Sequence, residues 1–545
     1  MILVPSLALA SMASVAAFGQ KKAATPADAA AGKKLNVVFI ISDQMSARAL
    51  PIYGNNTIET PNMQRLVREG TTFDNSICVV PFSSPTRSSF VTGLYPNATG
   101  IITNVEAGKG NGPLDINKTI TEGILFDKGY VTGHFGKWHL GPINSWPCYA
   151  DKKNARDIYD RTYFGEFARM RAAANPTPAT PKKGEALTNA RAADGYGLYQ
   201  TAAVNAMWKA APQNMKKDVG SFGRIGTPAD TYDWALVTKN GTDFIKAHKD
   251  QPFMITVSIG PPHPDFVIPD PWYSHVDPAK IPFPPSAYIH PERYLNTKVY
   301  QVGQYIGEEG TREKMRCYYA MITFVDDMIG RILQTLDDCK LTDNTLVVFI
   351  SDHGDPLNTQ GMLFGKTIPD FLEEQLRVPT LMRLPGVIPA GKRVETSFSS
   401  VDLAPTMRDY LGVNTFPTQG RSFRPVIEGQ VKDEVGFAVS MRPEARCVRG
   451  EIDGKLYIYE KVFNVKAKTS YEELYDLAAD PYQMKNVVND RAYAKIKARM
   501  MAEFNKYADR TGERHIEDLP EKGLVTWGNF RNVTPDKNAR DSGDE

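Results

Sequence analysis

Ser83-Ser84-Pro85-Thr86-Arg87-Ser88-Ser89-Phe90-Val91-Thr92-Gly93 is the stretch whose residue types most clearly could do chemistry. A serine pair ahead of Pro85 reads as a helix start, with Ser84 as its cap, Pro85 at the first helical position and Gly93 as its stop. Ser83 then stands just outside a helix N-terminus, where unpaired backbone N–H groups and the helix dipole favour an anion. Arg87, one turn in, adds a fixed positive charge to the same end. A hydroxyl, a guanidinium and a dipole so placed suit a nucleophile facing an anionic ester. An ordinary capped helix would use the same residues.

Four apolar runs must position that chemistry. Residues 35–41, mostly apolar and β-branched, read as a doubly buried strand that ends in Ser42-Asp43-Gln44. Residues 346–350 repeat the pattern and end in Ser351-Asp352-His353-Gly354-Asp355. In parallel α/β sheets ligands collect beyond the carboxyl ends of strands, so two strands that each deliver a pair of ligands suit a shared cation. A third strand, 252–259, runs into Gly260-Pro261-Pro262-His263-Pro264. A fourth segment, 129–141, carries Lys137 and His139 into a polar turn, where both read equally well as surface residues. Between them lie scaffold helices. One opens at Thr60-Pro61, with Met63, Leu66 and Val67 on one face. Another, 311–338, places Tyr318, Ile322, Val325, Ile329, Ile332 and Leu336 at helical spacing. Asp326 and Asp327 on that helix read as solvated or capping neighbours, not as ligands.

With 545 residues, the chain is long enough for a sizeable core and more than one unit. A formal net charge of +2 gives no footprint for nucleic acid or an anionic membrane. Residues 1–19 form an apolar, small-residue segment too short to span a bilayer stably; they read as a signal peptide, which implies export to a periplasmic or extracellular compartment. Residues 20–34 are a flexible lead-in. Five cysteines (Cys78, Cys148, Cys317, Cys339 and Cys447) match no zinc or redox spacing and allow at most two disulfides. Residues 143–238 are looser in pattern and read as an insertion shaping a cleft. Its Trp146, Tyr149, Tyr159 and Tyr163, with Tyr199, either stack on sugar rings or pin the insertion to the core.

The pattern Ser-x-Pro-x-Arg, four residues, then Thr-Gly, met by Ser83, Pro85, Arg87, Thr92 and Gly93, resembles the signature of the type I sulfatases, in the alkaline phosphatase superfamily. Phe135-Gly136-Lys137-Trp138-His139-Leu140-Gly141 resembles the second signature of that family. His263 before Pro264 matches a further element, and Lys366 in Phe364-Gly365-Lys366-Thr367 matches its second sulfate-binding lysine. The resemblance covers most of residues 35–489. It implies a doubly wound α/β sandwich like alkaline phosphatase, catalytic over 35–430, with a smaller C-terminal α+β subdomain over 431–532 and a mobile tail over 533–545.

The same resemblance implies that Ser83 is oxidised to formylglycine by a radical maturase, as in the serine-type bacterial members, and that its hydrate is the nucleophile. Arg87 would orient it, His139 and His263 would act as base and acid, and Lys137, His263 and Lys366 would bind sulfate. Asp43, Gln44, Asp352 and His353 would hold calcium, with magnesium and manganese as runners-up, and no organic cofactor is called for. Gln44 where the family often has Asp lowers the ligand charge, and residues 356–361 depart from the family's usual sequence there. The expected activity is removal of sulfate from a sulfated carbohydrate. Two alternatives stay open: a phosphomonoesterase or phosphodiesterase using unmodified Ser83, and a non-catalytic protein that binds sulfated glycans. The sequence carries no signal of oligomeric state.

Overall fold

In a computed structural model of the chain, residues 34–105, 112–115, 119–141, 155–156, 182–188, 197–365, 371–413, 416–464 and 469–519 are described. The main sheet is built from β1 (Asn36–Ser42), β2 (Thr71–Phe73), β3 (Val131–Lys137), β4 (Ala155–Arg156), β5 (Phe253–Ile259), β6 (Thr345–Ser351), β7 (Thr380–Arg383) and β8 (Lys392–Val394), in the spatial order β8-β2-β7-β6-β1-β5-β3-β4. Its central strands β6, β1, β5 and β3 run parallel, while β7 is antiparallel to both of its neighbours. All seven residues of β1, β5 and β6 are buried, as the continuous apolar runs require of strands covered on both faces.

Alternation along β1 divides the core in two. Val38 and Ile40 join the cluster formed by α1 (Pro61–Glu69), α4 (Asp233–Ala247) and α5 (Lys298–Asp338), whereas Val37, Phe39 and Ile41 face Phe90 of α2 (Ser83–Thr92), Ile124 of α3 (Thr121–Asp127) and Met407 of α6 (Leu403–Tyr410). The result is the expected α/β sandwich. The apolar stripe read on α5 is buried at all six positions. Asp326 on that helix accepts the backbone N–H groups of Asn62 at 3.1 Å and Met63 at 2.7 Å, so it caps the start of α1. Asp327 instead accepts from Arg331 at 3.3 Å on the exposed side.

A second, four-stranded sheet joins Glu185–Thr188, Leu198–Thr201, Phe222–Ile225 and Phe266–Ile268. Leu198, Phe222 and Phe266 belong to the main core, and α4 packs on β5 and β3. Within the segment read from sequence as an insertion shaping a cleft, Leu198, Phe222 and Leu236 contribute to the interior. Tyr199 is 5% exposed with the Arg224 guanidinium 4.6 Å from its ring centroid, which settles it as a packing residue and not a sugar platform. Trp146, Tyr149, Tyr159 and Tyr163 lie outside the described residues.

The C-terminal region is a four-stranded antiparallel sheet in sequence order, β9 (Phe437–Arg442), β10 (Ala445–Ile452), β11 (Lys455–Asn464) and β12 (Thr469–Asp476). Helix α7 (Ala494–Thr511) covers it with Met500, Phe504 and Tyr507. Cys78, Cys317, Cys339 and Cys447 are free thiols, and Cys148 lies outside the described residues. Among the described residues no helix is long and apolar enough to cross a membrane.

Candidate active site

Strand register assembles the site. Ser42 pairs with Ser351 across β1 and β6, and the Asp352 N–H donates to the Ser42 carbonyl at 3.2 Å, so the acidic ends of both strands meet side by side. On the other flank Ser42 pairs with Ile259 of β5, and Gly136 of β3 pairs with Ser258, which delivers Lys137 to the same edge. Gly136 has φ +91°, and a Cβ there would sit 2.0 Å from the Ser258 carbonyl oxygen. Only glycine permits β3 to approach β5 that closely.

Helix α2 points its first residue into this edge. Ser83 is itself the first helical residue, and Phe82 occupies the cap position. That corrects the expectation that Ser84 caps the helix. The Ser84 hydroxyl is committed elsewhere: it donates to the His139 carbonyl at 2.7 Å and accepts the Val105 N–H at 3.0 Å. Gly93 ends the helix in the left-handed conformation, as expected.

Ser83 Oγ is fully buried, 3.1 Å from Lys137 Nζ, 3.2 Å from His353 Nε2 and 3.5 Å from Asp43 Oδ1. Lys137 Nζ also forms an ion pair with Asp43 Oδ2. The Arg87 guanidinium bridges the two acidic strand ends, donating to Asp352 Oδ2 at 2.9 Å and to Asp43 Oδ2 at 3.4 Å. Its remaining N–H groups reach Ser258 Oγ at 2.7 Å and the Lys137 carbonyl at 3.0 Å. Burial and the Asp43 charge push the Asp352 carboxyl up, but His353, Arg87 and Lys137 outweigh them and hold it below the usual carboxylate range. His353 Nδ1 lies 2.9 Å from the Gly354 carbonyl, which can only accept. That places a proton on Nδ1 and turns Nε2 toward Ser83 and the carboxylates.

One ligand atom each from Asp43, Asp352 and His353 falls within 4.8 Å of the others, all fully buried. Gln44 adjoins the cluster, its backbone N–H donating to Asp352 Oδ1 at 3.0 Å. Its amide N–H donates to Asp355, and its buried Oε1 has no hydrogen-bond partner among the described residues. Two carboxylates, an imidazole nitrogen and an amide oxygen fit a hard divalent cation.

His139 is buried with φ +62°, and Gln44 has φ +66°. Left-handed backbone at non-glycine residues is uncommon and here falls on two site positions. His263 is half-buried and donates from Nδ1 to the Pro264 carbonyl, in a turn whose Pro261 carbonyl meets the Asp43 N–H at 3.5 Å. Lys366 lies outside the described residues.

Sequence reasoning missed three contributors. Ser258 supports Arg87, Asn104 accepts the Ser84 N–H at 3.2 Å, and Asp355 anchors Gln44. Ser258 had a signal: Ser42, Ser258 and Ser351 each fall at or one residue before the end of a neighbouring buried strand. Asn104 had none.

A model of the sulfatase family matches residues 35–413, and a model of the C-terminal region of N-sulphoglucosamine sulphohydrolase matches residues 363–510. An N-acetylglucosamine-6-O-sulfatase of Bacteroides thetaiotaomicron is 26% identical over 527 residues, covering 90% of this chain and 88% of its own. A solved structure of a complex with the substrate D-glucosamine-2-N,6-O-disulfate superposes with a TM-score of 0.64 at 20% identity, covering 93% of this chain and 100% of that one. A phosphonate monoester hydrolase of Agrobacterium radiobacter superposes with a TM-score of 0.66 at 21% identity, covering 90% and 99%. The likeness to both structures carries the alkaline-phosphatase-like fold, and the family model carries the rest: the chain belongs to the sulfatases and is a sulfuric ester hydrolase.

Proposed function

We propose that the protein removes sulfate from a sulfated carbohydrate through a formylglycine made from Ser83. The observation that carries this reading is the surroundings of Ser83 Oγ, at the head of α2 and within 3.5 Å of Lys137, His353 and Asp43. Oxidation of Ser83 by a radical maturase replaces its alcohol with an aldehyde, whose hydrate has two hydroxyls. One attacks sulfur in line, and the S–O bond to the sugar breaks. His263 gives the leaving oxygen its proton, a step worth roughly 10²–10⁴-fold when well placed. The enzyme is left as a sulfate hemiester. His139 then takes the proton of the second hydroxyl, the carbonyl reforms, and the C–O bond to sulfate breaks to release it. A plain serine has no second hydroxyl, so its sulfate ester would be a dead end.

Lys137, Lys366 and Arg87 offset the charge that moves onto the departing groups. A divalent cation held by Asp43, Gln44, Asp352 and His353 would add Lewis-acid charge to the same pocket. Calcium suits the oxygen donors best, with magnesium and manganese behind it. The carbohydrate substrate is supported by the sugar sulfatase among the relatives and by the sugar disulfate in the superposed complex. Export, from residues 1–19, suits desulfation of a polymer outside the cytoplasm.

Mass spectrometry of the peptide around residue 83 tests the chemistry. Mature protein should show loss of two hydrogens, and Ser83→Ala should keep its melting temperature while losing sulfate release. The fold shared with phosphonate monoester hydrolases favours one other reading, ester hydrolysis by unmodified Ser83. An intact serine in a fully active preparation, with phosphate or phosphonate esters preferred, would establish that reading instead.

A further inference from the structure

A cleft of about 430 Å³ opens between the catalytic body and the C-terminal sheet, and none of the Ser83 cluster lines it. Two molecular rulers set its distance. Tyr95, on its wall, lies two residues beyond the stop of α2, whose ten residues extend about 15 Å from Ser83. Strand β9 runs from Phe437 in the cleft to Arg442, whose guanidinium lies 5.1 Å from the Phe82 ring beside Ser83. The six residues of β9 span about 16–20 Å. The cleft is therefore a separate place on the molecule.

Its lining is rich in cations: Glu503 is paired with Lys506 at 2.8 Å and with Arg499 at 2.8 Å, and two arginines stand beyond that pair. Arg421 and Arg510 are exposed on the rim, and neither guanidinium makes a hydrogen bond or an ion pair among the described residues; Arg421 rests 4.8 Å from the Phe423 ring centroid. The buried Asp402 makes no direct ion pair with either guanidinium: its two oxygens accept the backbone N–H groups of Arg421 at 2.9 Å and Ser399 at 2.8 Å, and it feels the two arginine charges only at longer range. Gln419 spends its Oε1 on the Tyr95 N–H at 2.8 Å, which leaves its N–H groups as donors. Ser397 is 3% exposed, and its buried Oγ has no hydrogen-bond partner among the described residues. Phe437 is half-buried beside these groups. Donors outnumber the acceptors left over, and an aromatic surface is at hand. The volume lies within the ~300–1,000 Å³ typical of small-ligand sites.

We propose that this cleft is a second binding site for an anionic sugar unit, whose carboxylate or sulfate oxygens are taken by the forked guanidiniums of Arg421 and Arg510. On a polymeric substrate it would hold one segment while another is presented to Ser83. That use rests on the glycan reading above; the binding itself does not.

The test is calorimetry with a sulfated uronic-acid disaccharide, too short to span both places, on Ser83→Ala protein. Adding Arg421→Gln and Arg510→Gln should lower the stoichiometry by one bound equivalent, or weaken one class of site at least tenfold. The same pair in the Ser83-intact enzyme should leave kcat/KM on a small aryl sulfate within twofold. Arg510→Glu alone, on an exposed turn of α7, gives the same loss without changing the Arg421 segment, and melting temperatures confirm that each variant folds. Unchanged stoichiometry and affinity would overturn the proposal. So would equally tight binding of a neutral disaccharide, or of inorganic sulfate alone, at the place lost in the variants. Protein that loses its disaccharide with the arginines but never releases sulfate would refute the catalytic reading and leave this one standing.

Discussion

Arg87 is where charge, packing and catalysis meet in one side chain. Its guanidinium is 3% exposed and neutralises two carboxylates that are fully buried. Removing it leaves both anions without their shared partner, and breaking a buried pair this way costs about 3–5 kcal/mol. Lysine keeps the charge but not the fork, so it cannot reach Asp352, Asp43 and Ser258 at once. We therefore expect Arg87→Lys to lose at least a hundredfold in kcat/KM and to shift the urea midpoint down, with Arg87→Met worse on both measures. Ser258→Ala is the milder case, since the Lys137 carbonyl still accepts from the same nitrogen. The loss of one hydrogen bond is worth about 1–1.5 kcal/mol. An Arg87→Lys enzyme within tenfold of the parent would show that bridging geometry is not what the site needs.

At the scale of elements, the site is a meeting of strand ends, and close approach between strands is what makes it. Gly136→Ala forces a Cβ onto the Ser258 carbonyl oxygen, so β3 must move away from β5 and carry Lys137 with it. We expect near-complete loss of turnover with a lower melting temperature, both measurable on one preparation; a fully active Gly136→Ala enzyme would mean Lys137 is not held by this contact. Much of this layer was legible in the sequence. The runs at 35–41, 252–259 and 346–350 are strands because they are short, rich in β-branched residues and buried on both faces of a sheet. The pairing of Ser42 with Ser351 could be guessed from the two matching Ser-Asp endings. Capping was less legible. Ser84 is a good cap by type, yet the His139 carbonyl claims its hydroxyl from 55 residues away. Tyr199 looked available to a sugar until Arg224 covered it. In each miss a partner distant in sequence decided a local choice, and residue type alone cannot name that partner.

Across the whole molecule, two buried ionisable groups outside the Ser83 cluster set opposing dependences of stability on pH. Glu122 of α3 is 1% exposed, accepts from Thr256 at 3.3 Å through one oxygen, and leaves the other without a partner among the described residues. Burial pushes its carboxyl up to about 7, against the hydrogen bond from Thr256 and the charge of Arg408. The folded state then holds a proton that the unfolded chain gives up near 4.5, so stability present below pH 4.5 is lost as pH rises toward 7. Lys314 of α5 lies among Phe222, Phe266 and Phe364, 5.4–5.7 Å from their centroids. Burial pulls its ammonium down to about 8, while Asp218, Asp355, Asp265 and Cys317 favour the charged form. Its sign is reversed: the folded state sheds the proton first, so the penalty is full below pH 8 and fades as pH rises toward 10.5. Each shift corresponds to at most about 3 kcal/mol. Urea unfolding of wild type and variants from pH 4.5 to 10.5 separates the two. The gain from Glu122→Gln should be near zero at pH 4.5 and largest above pH 7; the gain from Lys314→Met should be largest below pH 8 and vanish toward pH 10.5. Differences that stay flat across the range would show that burial imposes no such penalty on either group. If both curves appear, the double variant is the most stable form between pH 7 and 8, where the two penalties overlap. Glu122 and Lys314 share no contact, so their gains should add.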